Sequence, residues 1–318
     1  MGGCAASPAP VNEQELRIDA RTVLRQSLES QDPAARFRAV DALAELPDED
    51  AGRTALQALH DPDPMVRFAA AMAVAKLKYE PARERLLKMA DESARVEPDK
   101  RVLAAVVYAL HELEDDRYMG YLGALLYDRE PEVRAYAAML MGRVGEPSAT
   151  GPLRDLLSTE RDKTVSVKAH EALAMLGDPK SSVIIESYVI GYFLDVRLAA
   201  IEALTKTNPR RAVYVCQRQV RKAESPHIRV ACAGSLAKAG EGTEQGYRTC
   251  LRAVREPREM LEDAYEGVKT VDESEVRSLR TLGMMSLAQM DRPGAAGVLQ
   301  GLLDSHDPEE RVAAALAL

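Results

Sequence analysis

Two runs of arginine and lysine are the residues in this chain best placed to do chemistry. Arg248, Arg252 and Arg255 follow i, i+4, i+7 spacing, and Arg211, Arg218 and Lys222 follow a similar rhythm. On helices each set would form one stripe. Between Lys206 and Arg258 there are twelve Lys or Arg and four acids, so this stretch is strongly cationic within a chain of net charge −8. Such a surface suits an acidic protein segment, an anionic lipid face or nucleic acid. The competing reading is internal neutralisation by acids such as Glu244 and Glu256. Nucleic acid is the weaker partner, because the whole chain is acidic and Tyr214 and Tyr247 alone could stack on bases in this stretch.

Catalytic arrangements are harder to find. The pairs His111-Glu112 and His170-Glu171 have metal-ligand chemistry, but they fall at different registers of their segments and would point in different directions. His60, His227 and His306 read as turn residues without ligand spacing. Cys4, Cys216, Cys232 and Cys250 form no CxxC pair. The last three read as small buried side chains. No nucleophile elbow, phosphate loop or dinucleotide fingerprint occurs, and no carboxylate pair reads as acid and base. The expectation is a chain with no catalytic residue, no metal and no cofactor.

The elements that must position the basic runs belong to a repeat. A pattern of proline, arginine, small residues and Ala-Leu recurs nine times. Numbered from the arginine as position 0, position 7 falls at Leu43, Val74, Leu110, Met141, Leu173, Leu204, Leu236, Leu287 and Leu318. A period in the range of about 20–50 residues marks a repeat array. Arg36, Arg67, Arg134, Arg197, Arg229, Arg280 and Arg311 occupy position 0, with Leu103 and Ser166 in the other two copies. These arginines are expected to bond to carbonyls or acids of an adjacent repeat as a structural ladder. Position 3 is small in most copies, and positions 3, 6, 7 and 10 share a helical stripe that lets a neighbouring helix approach closely. Pro33, Pro64, Pro131, Pro226 and Pro308 stand three residues before position 0, where proline suits a first helical turn. Asp32, Asp63 and Asp307 precede three of them as N-caps. Second helices are expected near residues 80–90, 117–127, 150–158, 208–222 and 293–303.

The copies Asp63-Pro-Met-Val-Arg-Phe-Ala-Ala-Ala-Met-Ala-Val and Glu130-Pro-Glu-Val-Arg-Ala-Tyr-Ala-Ala-Met-Leu-Met resemble HEAT repeats of the short bacterial type also found in phycobilin lyases. The resemblance spans roughly residues 30–318. It implies an all-α, right-handed α-solenoid of about nine helical hairpins, since hairpins of this kind bury their faces only by stacking. It also implies a non-enzymatic scaffold that binds a protein partner with an acidic segment on a concave face lined by second helices. The alternatives are a phycobilin-lyase-like enzyme or chaperone subunit, and a nucleic-acid-binding array.

Residues 12–318 are expected to form the array, after a tail over 1–11. The jump between Leu236 and Leu287 predicts an insertion over about 256–275, directly after the Arg248 stripe. The last copy stops in its first helix at Leu318 and lacks a partner helix. Met1-Gly-Gly-Cys-Ala-Ala-Ser-Pro-Ala-Pro resembles the end of a bacterial lipoprotein signal peptide, with Cys4 as lipid attachment point, although no basic or apolar stretch precedes it. A plain tail is the equal alternative, so compartment divides between cell envelope and cytoplasm, and a membrane partner enters only through Cys4.

Overall fold

The computed structural model describes residues 13–45, 49–91, 97–265, 271–290 and 292–318. Among them the chain forms nineteen α-helices and no strand. They are α1 (Glu13–Ser27), α2 (Pro33–Leu43), α3 (Glu49–Ala58), α4 (Pro64–Leu77), α5 (Arg83–Ala90), α6 (Lys100–Glu112), α7 (Met119–Leu125), α8 (Pro131–Val144), α9 (Thr150–Thr159) and α10 (Lys163–Met175). The remainder are α11 (Pro179–Val189), α12 (Leu194–Thr207), α13 (Pro209–Lys222), α14 (Pro226–Lys238), α15 (Glu244–Arg255), α16 (Pro257–Ala264), α17 (Glu273–Ala288), α18 (Pro293–Gln300) and α19 (Pro308–Leu316). Cys4 and the tail over 1–11 lie outside the described residues.

Each repeat begins as its residues dictate. Pro33, Pro64, Pro131, Pro226 and Pro308 each open a helix. The carboxylates of Asp32, Asp63 and Asp307 accept hydrogen bonds from the backbone N–H groups of Ala34, Met65 and Glu309. Those donors have no partner inside the helix, so the caps satisfy them. The first helices α2, α4, α6, α8, α10, α12, α14, α17 and α19 carry the small residues of position 3, and Ala39, Ala70, Ala137, Ala169, Ala200, Cys232 and Ala314 are fully buried. Gly142 shows how close the approach is. A Cβ built there would lie 2.7 Å from the Ala172 backbone of α10.

Each first helix packs on the next, from α2 through to α19, and α19 then packs on α2. The array therefore closes into a ring. α1 packs on both α19 and α2. Ala20 and Leu24 of α1 join one core with Val312–Ala315 of α19, and Arg38 of α2 pairs with Glu309 of α19 at 3.1 Å. α1 and α19 thus form one helical pair in the ring.

Closure also decides which layer faces inward. The concave surface was expected from the second helices; instead the first helices form the inner ring. Their alanine-rich faces pack closely and so take the shorter circumference, whereas the second helices mostly sit apart on their first helices. Arg143 on α8 acts electrostatically on Asp41 of α2, Tyr108 of α6 and Glu202 of α12, as side chains turned towards one interior would. Asp41 and Glu202 are open to solvent yet crowded by protein, as side chains in a walled lumen would be. Burial and the nearby Glu45 push the Asp41 carboxyl up against the opposing pull of Lys76 and Arg143. Burial and Glu112 push the Tyr108 hydroxyl up to about 12.

An additional helix, α16, falls in the stretch where the insertion is expected. α16 leads from α15 towards α17 and packs on both, and also on α14. It places Met260 and Leu261 in the core.

Candidate interaction surface

Three of the arginines at position 0, Arg36, Arg67 and Arg134, share one geometry. The Nε and Nη2 of Arg36 donate to the Asp61 carboxylate, both at 2.8 Å, and Nη1 donates to the Ser30 carbonyl at 2.8 Å. Arg67 takes Glu97 at 2.6 and 2.8 Å and the Asp61 carbonyl at 2.8 Å. Arg134 takes Glu160 at 2.7 and 2.9 Å and the Asp128 carbonyl at 2.8 Å. Each guanidinium thus ties the turn before its own helix to an acid contributed by the following turn. Two parallel N–H···O bonds are the strong, planar form of this contact. The remaining members vary. Arg197 reaches the Val189 carbonyl and the Gln219 amide oxygen, Arg280 pairs with Glu310, and Arg311 holds the Ser305 carbonyl at 2.7 Å. Leu103 is buried in its copy, and Ser166 bonds back to the Asp162 carbonyl at 2.8 Å.

Arg229 stands apart. Among the described residues it makes no side-chain hydrogen bond or ion pair, and its Nε is buried without a partner. Burial, together with the positive charge of Arg252, holds its guanidinium below the usual arginine value. Glu256 caps the end of α15 at the point where Glu160 caps α9. Its carboxylate turns instead to Arg252 at 3.7 Å. The cause is local: Pro257 starts the inserted α16 at once, so the chain does not continue into the next repeat as it does after Glu160.

The six basic residues singled out from sequence are on neighbouring second helices. Arg211, Arg218 and Lys222 stand on α13, and Arg248, Arg252 and Arg255 on α15. Arg218, Lys222, Arg248 and Arg255 are exposed, whereas Arg211 and Arg252 are half-buried. Part of the charge is answered within the chain: Arg211 pairs with Glu186, Arg248 with Glu244 at 2.9 Å, and Arg252 with Asp263 of α16 as well as Glu256. Arg218, Lys222 and Arg255 are exposed and form no ion pair among the described residues. The two helices do not make one continuous basic face. A cavity of about 480 Å³ lies between them, lined by Val220 and Arg221 of α13, Glu244, Gln245, Arg248, Thr249 and Arg252 of α15, Arg229 of α14 and Met260 of α16. The sequence reading left out Arg221, which lies off the chosen stripe, and placed Arg229 in the structural ladder and not at a binding surface.

An apolar surface next to this region also escaped the sequence reading. Ile190, Tyr192, Phe193 and Tyr214 are all more than half exposed, Tyr192 completely so. They come from the end of α11, its following loop, and α13, which packs beside α11.

His111 bonds through Nδ1 to Asp116 at 2.6 Å and His170 to Ser181 at 3.2 Å. His227 is in the first turn of α14 and buried, not in a turn as expected, and burial lowers its pKa. Among the described residues no cluster of three His, Cys, Asp or Glu could hold a metal ion. Cys216, Cys232 and Cys250 are buried and free.

Among solved structures, the chain is similar to the complex of CpcE and CpcF of phycocyanin lyase from Nostoc sp. PCC7120. That match has a TM-score of 0.45 at 18% identity and covers 83% of this chain and 99% of that one. Human deoxyhypusine hydroxylase in complex with glycerol matches with a TM-score of 0.38 at 17% identity, over 97% of this chain and 98% of that one. Kap121p matches with a TM-score of 0.32 at 15% identity, over 98% of this chain and 38% of that one. No curated protein matches by sequence. The family model for HEAT repeats matches residues 21–111 and 119–189. With that match over half the chain, and with helical hairpins continuing beyond it, the chain belongs to the HEAT-repeat family.

Proposed function

We propose that this protein is a non-enzymatic interaction scaffold whose partner carries an acidic segment. The partner binds the outward face of α13 and α15. One observation carries the reading: α13 exposes Tyr214 one helical turn from the unpaired Arg218, and α11, which packs beside it, runs into exposed Ile190, Tyr192 and Phe193. Contiguous exposed aromatic and aliphatic side chains mark interaction sites, and tyrosine with arginine is the composition that dominates binding energy at protein interfaces. The cations steer an acidic partner, and the apolar strip supplies buried area once it docks. HEAT arrays present such surfaces on rigid stacked helices, so the site is largely formed before binding.

The test is affinity capture from the native host with the full chain, a variant carrying Arg218→Glu, Lys222→Glu and Arg255→Glu, and a Tyr192→Ala, Phe193→Ala variant. Partners recovered by the native chain should fall at least tenfold with both variants. Recovery of the same partners by all three proteins removes this face from the function.

A further inference from the structure

The cavity between α13 and α15 is built around a vacancy in the arginine ladder. In the first, second and fourth repeats the chain itself gives each position 0 arginine a carboxylate held by two hydrogen bonds. In the seventh the equivalent acid, Glu256, pairs with Arg252, and Arg229 is left lining an open space of about 480 Å³ with its Nε buried and unsatisfied. Arg221, Arg248 and Arg252 line the same space, and Glu244 is its one acid. Glu244 is engaged by both Arg248 and Arg292. A charged donor group short of an acceptor is costly, and an incoming carboxylate supplies the acceptor that the chain does not. The planar fork matches a carboxylate, the group that fills the same place elsewhere in the ring.

We propose that this pocket is a carboxylate site, in which Arg229 takes the acidic side chain of a bound protein segment and completes the ladder from outside. The proposal rests on the scaffold reading and names its anchor point. Arg221, Arg248 and Arg252 attract and frame the acid, while Arg229 binds it through two N–H···O bonds. Met260 of the inserted α16 closes one side, so the insertion both frees Arg229 from Glu256 and walls the pocket.

The test is titration calorimetry of the full chain with acetylated, amidated hexaglutamate, with glutarate, with inorganic phosphate and with the hexaglutamine peptide. Hexaglutamate should bind one to one and glutarate should compete with it, while hexaglutamine does not bind. Arg229→Met should weaken hexaglutamate at least tenfold. Arg229→Lys, which keeps the charge and loses the fork, should weaken it by a similar factor and decides the matter if the methionine variant fails to fold. Native affinity in the lysine variant, or phosphate competing as well as glutarate, overturns a carboxylate pocket. If hexaglutamate binds the Arg229 variants normally but is lost on changing Arg218, Lys222 and Arg255 to Glu, the pocket is refuted and the scaffold face stands. If neither peptide nor glutarate binds the native chain, the pocket is refuted, and the capture experiment judges the face independently.

Discussion

Arg134 and Arg229 occupy one column of the repeat and live in opposite circumstances. Arg134 and Glu160 are 16% and 3% exposed at their side chains, and each satisfies the other. Burial alone would raise the Glu160 carboxyl, but Arg134 and the backbone N–H groups of Arg161 and Asp162 bring it below the usual carboxylate value. Because the folded pKa is depressed, the stabilisation is present above the unfolded value of about 4.3 and disappears as pH falls through the folded value. Arg134→Met should therefore cost about 3 kcal/mol at pH 7, since it strands a buried carboxylate. The cost should shrink on acidification, as Glu160 takes up a proton. Arg229→Met should leave the melting temperature unchanged or raise it, because no contact is lost. Thermal unfolding followed by circular dichroism at pH 7 and pH 3 checks both. An equal loss in the two variants would mean that the column acts through packing of its aliphatic stems and not through its carboxylates.

At the scale of elements, the spacing of first helices is set by what is missing from their surfaces. A Cβ on Gly142 would meet both the Cα and the Cβ of Ala172, at 2.7 and 2.8 Å, whereas a Cβ on Gly123 of α7 meets nothing within 4 Å. Gly142→Ala should destabilise by about 1–3 kcal/mol through forced separation of α8 and α10. Gly123→Ala should stabilise by roughly 0.5–1 kcal/mol by restricting the unfolded chain. Chemical denaturation of the two variants separates these signs. The helix starts were readable in advance because proline and aspartate act within a few residues of themselves. The ladder partners were not: Asp61, Glu97 and Glu160 follow their arginines by 25, 30 and 26 residues, a separation that varies with each intervening turn. The pocket was illegible for the same reason. It needs Arg221 from α13, Arg229 from α14 and Met260 from α16 at once, and helical spacing ranks residues on one helix at a time.

For the whole molecule, the decisive contact is the one between its two ends. α1 carries no repeat signature, because it serves as a second helix, and those vary more than the first helices they cover. Nothing in its residues announced that it would pack on α19. Leu24 is 4% exposed in the core shared with α19. Leu24→Asp puts a charge there without a partner. It should lower the melting temperature and increase the radius of gyration seen by small-angle X-ray scattering, as the ring opens into an arc. An unchanged radius would show that α2 and α19 hold the closure without α1.

The joint made from α1 and α19 also bears on how the ring forms. Hairpins in an open array can fold in any order, each gaining from the neighbour already present. Here one interface joins segments from opposite ends of the chain, so it must wait for most of the arc to take its curvature. Its entropic cost of closure grows only slowly with length, but its dependence on every preceding hairpin makes it a late event. A misfolded hairpin anywhere in the arc would hold the two ends apart. Docking of α1 on α19 is then a single structural check on the hairpins between them.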